Sequence, residues 1–134
     1  MQYDEFMGQV QARGRMSSQG EAFQAVRAVL EVLGQRMAGG EPSNLAAQLP
    51  SELHDFLTSG GGEGERFGLD EFFRRVSEKE GVDLPVSIFH TRAVISVLRD
   101  AVTPGEYEDM RAQFPDDYDP LFDASYEGQM DTAR

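Results

Sequence analysis

Residues 27–57 read RAVLEVLGQRMAGGEPSNLAAQLPSELHDFL, and residues 92–122 read RAVISVLRDAVTPGEYEDMRAQFPDDYDPLF. Laid together without a gap at an offset of 65, they are identical at ten of 31 positions: Arg27/Arg92, Ala28/Ala93, Val29/Val94, Val32/Val97, Leu33/Leu98, Gly40/Gly105, Glu41/Glu106, Ala47/Ala112, Gln48/Gln113 and Pro50/Pro115. Composition alone would give roughly two. Leu30/Ile95, Met37/Val102, Leu45/Met110, Leu49/Phe114 and Phe56/Leu121 exchange one apolar residue for another, so core positions correspond. Upstream, Asp4-Glu5-Phe6 and Val10 match Asp70-Glu71-Phe72 and Val76 at an offset of 66. The one-residue slip falls between elements, where a length change costs least. A repeat at this period reads as a tandem duplication of a roughly 65-residue unit.

The apolar spacing within each copy is helical. Tyr3, Phe6, Met7 and Val10 fall at i, i+3, i+4 and i+7, and Leu69, Phe72, Phe73 and Val76 repeat that stripe. A longer helix follows in each copy, with Phe23, Val26, Leu30, Leu33 and Met37 on one face, and Ile88, Thr91, Ile95, Leu98 and Val102 on the other copy's face. Ser18 with Glu21 predicts a capping box for the first of these, and Asp83 occupies the equivalent cap. Gly39-Gly40 ends the first long helix; Thr103-Pro104-Gly105-Glu106 ends the second and caps a short third helix. The third helices stop before Pro50 and Pro115, and short segments at 51–57 and 116–122 close each copy.

The expected fold is therefore all-α, a pseudo-twofold helical bundle with unit 1 at residues 1–57 and unit 2 at 67–122. Between them, TSGGGEGER at 58–66 reads as a glycine-rich linker or hinge, and 123–134 as a polar tail. Each unit is too small to enclose its own stripes, so the two are expected to share a core.

Composition narrows the chemistry. The 134 residues contain no cysteine, which excludes disulfides, thiolate nucleophiles and zinc-thiolate sites. No apolar run approaches the roughly 20 residues of a membrane span, and the N-terminus lacks the basic and apolar regions of a signal peptide, so the expected location is cytoplasmic. The net charge of −12 disfavours nucleic acid and anionic membrane, because phosphates would be repelled, and leaves a protein partner open.

Candidate sites are few. Asp100 to Asp123 holds eight carboxylates against the lone base Arg111, but DDYDPLFD lacks the spacing and glycine turn of a calcium loop. It reads as a solvated, helix-capping face with no metal site. His54 and His90 occupy non-equivalent repeat positions, His54 on a polar surface and His90 near the interior stripe as a hydrogen-bonded buried side chain. No nucleophile elbow and no phosphate-cradling glycine motif can be assembled, so no catalytic residue and no cofactor is assigned. Arg27 and Arg92 recur beside the apolar stripe. They read as structural ion pairs with Glu41 and Glu106, which also recur, or as a paired anion-binding site where the units meet.

The opening YDEF, the GE-x-x-x-LAAQLP segment at 40–50, the glycine stretch running into ERFGLDEFFRRV, and the closing RAQFPDDYDPLF occur together in one chain. In this it resembles the prokaryotic family called domain of unknown function 2267, over nearly all of residues 1–122. The resemblance implies a small helical protein, or a module beside other domains, and transfers no activity, cofactor or catalytic residue. Two linked helical units supply surface and grooves while residues for chemistry are missing, so the expected function is that of a non-enzymatic interaction or accessory protein. The alternative is a small-ligand-binding or hydrolytic enzyme whose site lies between the units and uses Arg27, Arg92, His90 and nearby carboxylates.

Overall fold

The computed structural model describes residues 1–123. Of the stretch read as a polar tail, all but Asp123 lies outside the described residues. The chain is all-helical: α1 (Tyr3–Arg13), α2 (Gln19–Arg36), α3 (Glu41–Ala46), a 3₁₀ turn (Ser51–Leu53), α4 (His54–Thr58), α5 (Leu69–Glu80), α6 (Leu84–Ala101), α7 (Pro104–Arg111), a second 3₁₀ turn (Asp116–Tyr118) and α8 (Asp119–Phe122). Among the described residues the only β feature is an isolated bridge between Ala38 and Glu63.

Local chemistry sets most boundaries. The Ser18 hydroxyl accepts from the Glu21 amide at 3.1 Å and starts α2. The reciprocal half of the expected capping box is not made, because the Glu21 carboxylate accepts from Ser17 Oγ instead. Asp83 also departs from expectation: it precedes α6 with extended backbone, but its side chain makes no capping bond. Gly81, at φ 75°, ends α5 in the left-handed region that favours glycine. Thr103 Oγ1 accepts from the Glu106 amide at 3.2 Å and caps α7.

The stripes are buried as their spacing implies, but between the two halves of the chain as well as within them. α1 packs on α2 and on α6, α5 packs on α6 and on α2, and the long helices α2 and α6 touch. A single apolar cluster holds Phe6, Val10, Val26 and Leu33 together with Phe72, Val76, Val94 and Leu98. One contact is closer than any side chain permits: a Cβ on Gly34 would lie 2.1 Å from the Leu57 carbonyl oxygen, so the glycine is what lets α4 lie against α2.

The glycine-rich stretch at 58–66 folds back along the end of α2. The Gly39 amide donates to Gly62 O at 2.8 Å and the Glu65 amide to Gln35 O at 2.9 Å. Gly61, Gly62 and Gly64 have positive φ, so the glycines shape a fixed return path. Phe67 completes the anchorage, because its carbonyl accepts from both Arg36 Nε at 2.9 Å and the Tyr118 hydroxyl at 2.8 Å.

Each half has about 60 residues, a size that buries only ~60% of its unfolded surface on its own. Residues 1–62 and 63–134 expressed separately are therefore expected to show weak helicity and no cooperative melt near the full-length temperature. Two monomeric halves melting cooperatively at that temperature would contradict a shared core.

Candidate functional site

α3 begins Glu41-Pro42 and α7 begins Pro104-Gly105-Glu106, and the two helices pack on each other. Glu41 and Glu106 are buried, 7% and 9% exposed. Their carboxyl groups are placed to hydrogen-bond to each other, and Oε2 of each is buried with no hydrogen-bond partner of its own. Two ionised carboxylates cannot make that bond, since each only accepts; a proton must supply the donor. Burial, then the Glu106 hydrogen bond, then the negative charges of Glu106 and Asp109 push Glu41 from 4.5 up to about 8.

Matched residues flank this pair. Gln48 Oε1 accepts from the Thr103 amide at 2.8 Å, and Gln113 Oε1 accepts from the Ala38 amide at 3.2 Å. Further out, Arg13 Nη1 donates to Ser96 Oγ at 3.1 Å and Lys79 Nζ to Glu31 at 3.4 Å. Gln48/Gln113, Ala38/Thr103 and Glu31/Ser96 stand 65 residues apart in the sequence, and Arg13/Lys79 stand 66 apart.

The expected pairing of Arg27 and Arg92 with Glu41 and Glu106 is not formed, because each glutamate faces the other. Arg27 is half exposed and pairs with Glu31 one turn along α2, Nε to Oε2 at 3.2 Å. It lines an open groove of about 300 Å³ with Gln24, Ala28, Glu31 and Lys79. Neither Arg92 nor His90 lines that groove. Arg92 is partly buried on α6, and its Nε has no partner.

His90 is buried as its position implied, 4% exposed, with Nδ1 hydrogen-bonded to the Glu80 carboxylate. His54 is half-buried rather than on the surface: Nε2 lies 2.8 Å from Leu49 O, and a carbonyl can only accept, so that nitrogen carries the proton. In the acidic segment Arg111 binds Asp119 and Asp123, the latter at 2.8 Å, while Asp117 Oδ2 accepts from the Leu69 amide at 2.9 Å and caps α5. Among the described residues no group of three or more acidic or histidine side chains is placed to hold a metal ion.

Arg36 is a feature that sequence reasoning missed. It is 7% exposed, and no carboxylate of the described residues pairs with it. Its guanidinium carbon lies 5.8, 5.5 and 5.6 Å from the ring centroids of Phe67, Phe114 and Tyr118. Each aromatic face contributes ~0.5–2 kcal/mol, most where the cation is desolvated. Phe67 also stacks with Arg75, 3.9 Å away, which is itself paired with Glu65 and Glu71.

Against known proteins, the family model described as uncharacterized conserved protein, DUF2267, matches residues 3–121. The chain belongs to the DUF2267 family. The matched span takes in both seam glutamates, both glutamines and the Arg36 box of this DUF2267 protein. No curated protein matches it.

The glutamate pair gives this DUF2267 protein a defined pH dependence. Below about 4.5 Glu41 holds its proton folded or unfolded; from there to about 8 only the folded chain holds it. The folded state then binds more protons, so stability falls as pH rises through that window and levels off above it. Thermal melts should show the midpoint of the natural chain falling from pH 6 to pH 9. Glu41→Gln, whose amide donates without titrating, should lack this fall and melt higher than the natural chain at pH 9. Parallel pH profiles for the two proteins would contradict the shared proton.

Proposed function

We propose that this chain is a tandem duplication whose two helical units form one pseudo-twofold bundle, and that the bundle is a protein-binding accessory module rather than an enzyme. The duplication is supported by the form of the contacts. In a twofold interface a residue on the axis meets its own copy, and residues off the axis contact in reciprocal pairs. Glu41 with Glu106 fits the first pattern, and Gln48–Thr103 with Gln113–Ala38 fits the second. Arg13–Ser96 with Lys79–Glu31 extends it to α1 and α5.

The observation that carries the binding role is the apolar start of α6. Leu84 is 46% exposed and Val86 41% exposed, with Pro85 exposed between them and Val82 and Phe89 partly exposed nearby. Large aliphatic side chains in adjacent positions on a surface mark interaction sites more often than isolated ones do. Charge decides what covers them. At a net charge of −12 a second copy of the chain is repelled, whereas a segment with apolar residues on one face and lysine or arginine beside them is attracted. Asp83, exposed at the edge of the patch, is placed to meet such a base. The partner is thus a cationic amphipathic segment of another protein.

A fluorescently labelled 14-residue helix of alternating leucine and lysine faces serves as the probe, read by anisotropy. Saturable binding is expected, weakening several-fold as salt rises and at least tenfold in Leu84→Asp/Val86→Asp, substitutions at exposed positions that leave the core intact. Equal binding by the natural and doubly substituted chains would refute the assignment of this face.

A further inference from the structure

Glu41 and Glu106 do more than lie close. They are buried on facing helices, and Oε2 of each has no hydrogen-bond partner among the described residues. We propose that this contact is a proton-operated latch on the α3/α7 seam: with the proton in place it joins the two helices, and without it two buried carboxylates face each other and the seam parts.

Among the described residues no cation acts on Glu41, and Arg99 of α6 lies over the Tyr107 ring of α7 at 5.5 Å. The charges acting on Glu41 are those of Glu106 and Asp109, both on α7 and both negative. Arg111, the base of α7, is bound to Asp119 and Asp123. On α4, the other helix packed on α3, His54 donates to Leu49 O and Asp55 is exposed. Removing the partner of a buried charge leaves a desolvated ion whose cheapest escape is to water, and here water is reached by separating α3 from α7. The upward displacement of Glu41 to about 8 puts the change within reach of mildly alkaline conditions.

What opens is defined by the neighbours. The Gln48–Thr103 and Gln113–Ala38 hydrogen bonds span the same seam and break with it. Leu45 on α3 and Met110 on α7, both fully buried in the closed form and matched at the offset of 65, become the apolar lining of the open one. The core helices α1, α2, α5 and α6 are not tied through the glutamates, so the rest of the bundle persists while the seam parts.

The test is amide hydrogen exchange of the full chain, expressed as protection factors corrected for the intrinsic pH dependence of exchange. Ala38 and Thr103 report the two seam bonds; Val29 and Val94, in the long helices, are the controls. From pH 6 to pH 9.5 the protection of Ala38 and Thr103 should fall about tenfold or more in the natural chain while the controls hold, since one unit of displaced titration corresponds to a factor of ten. In Glu41→Gln and in Glu106→Gln, each of which keeps a donor between the two groups, both amides should stay protected across the range. If one variant fails to fold, the other decides. Unchanged protection in the natural chain, the same fall in a folded glutamine variant, or an equal fall at Val29 and Val94 would each overturn the latch.

Discussion

The architecture depends on one constraint: neither half of the chain can bury its own apolar stripes. α1 and α5 each carry a row of large side chains, and each lies between the long helix of its own half and the long helix of the other. Burying one such side chain contributes roughly 1.5 to 3 kcal/mol, so these two helices weigh heavily against the conformational entropy of ordering so small a fold. Once α1 is on α6 and α5 is on α2, the ends of α2 and α6 are brought side by side. The short helices that follow them, α3 and α7, then have no choice but to meet.

That meeting explains the glutamates. On the proposed twofold, a side chain near the axis faces a copy of itself, and an acidic residue there faces its own charge. Sharing a proton resolves the conflict. The flanking glutamines face no such problem, because an amide carbonyl opposite a backbone amide is complementary in both directions. Several positions break the proposed equivalence. Gly34, which admits α4, corresponds to Arg99; Arg36 corresponds to Ala101; His90 corresponds to Ala25. In one half only, a cation in an aromatic box and a bonded turn of glycines hold the chain that leads to α5.

The sequence made the helices legible because their signals are local. Period and caps sufficed for most of α1, α2, α5, α6 and α7, and the burial and hydrogen bonding of His90 were implied by its place beside an interior stripe. The capping box failed in part because a side chain has several acceptable partners: Glu21 took Ser17, and Glu106 turned inward to Glu41. The recurrence of Arg27, Arg92, Glu41 and Glu106 was visible, but opposite charges suggested the wrong pairs. Nothing local tells where the proposed axis passes, and nothing local shows that Glu41 meets Glu106. Arg36 was hidden for a related reason. Its rings come from Phe67, Phe114 and Tyr118, distant in sequence, and no carboxylate marks the cation as bound.

The account rests on a proton between two buried glutamates, and carbon-detected NMR of the side-chain carboxyls observes it directly. Following every glutamate from pH 3 to pH 10, with Glu41 assigned by the resonance missing in Glu41→Gln, should show Glu41 changing charge near 8, well above the usual carboxylate range. A Glu41 carboxyl that titrates with the exposed glutamates would mean that the two side chains share no proton, and the central claim would fail.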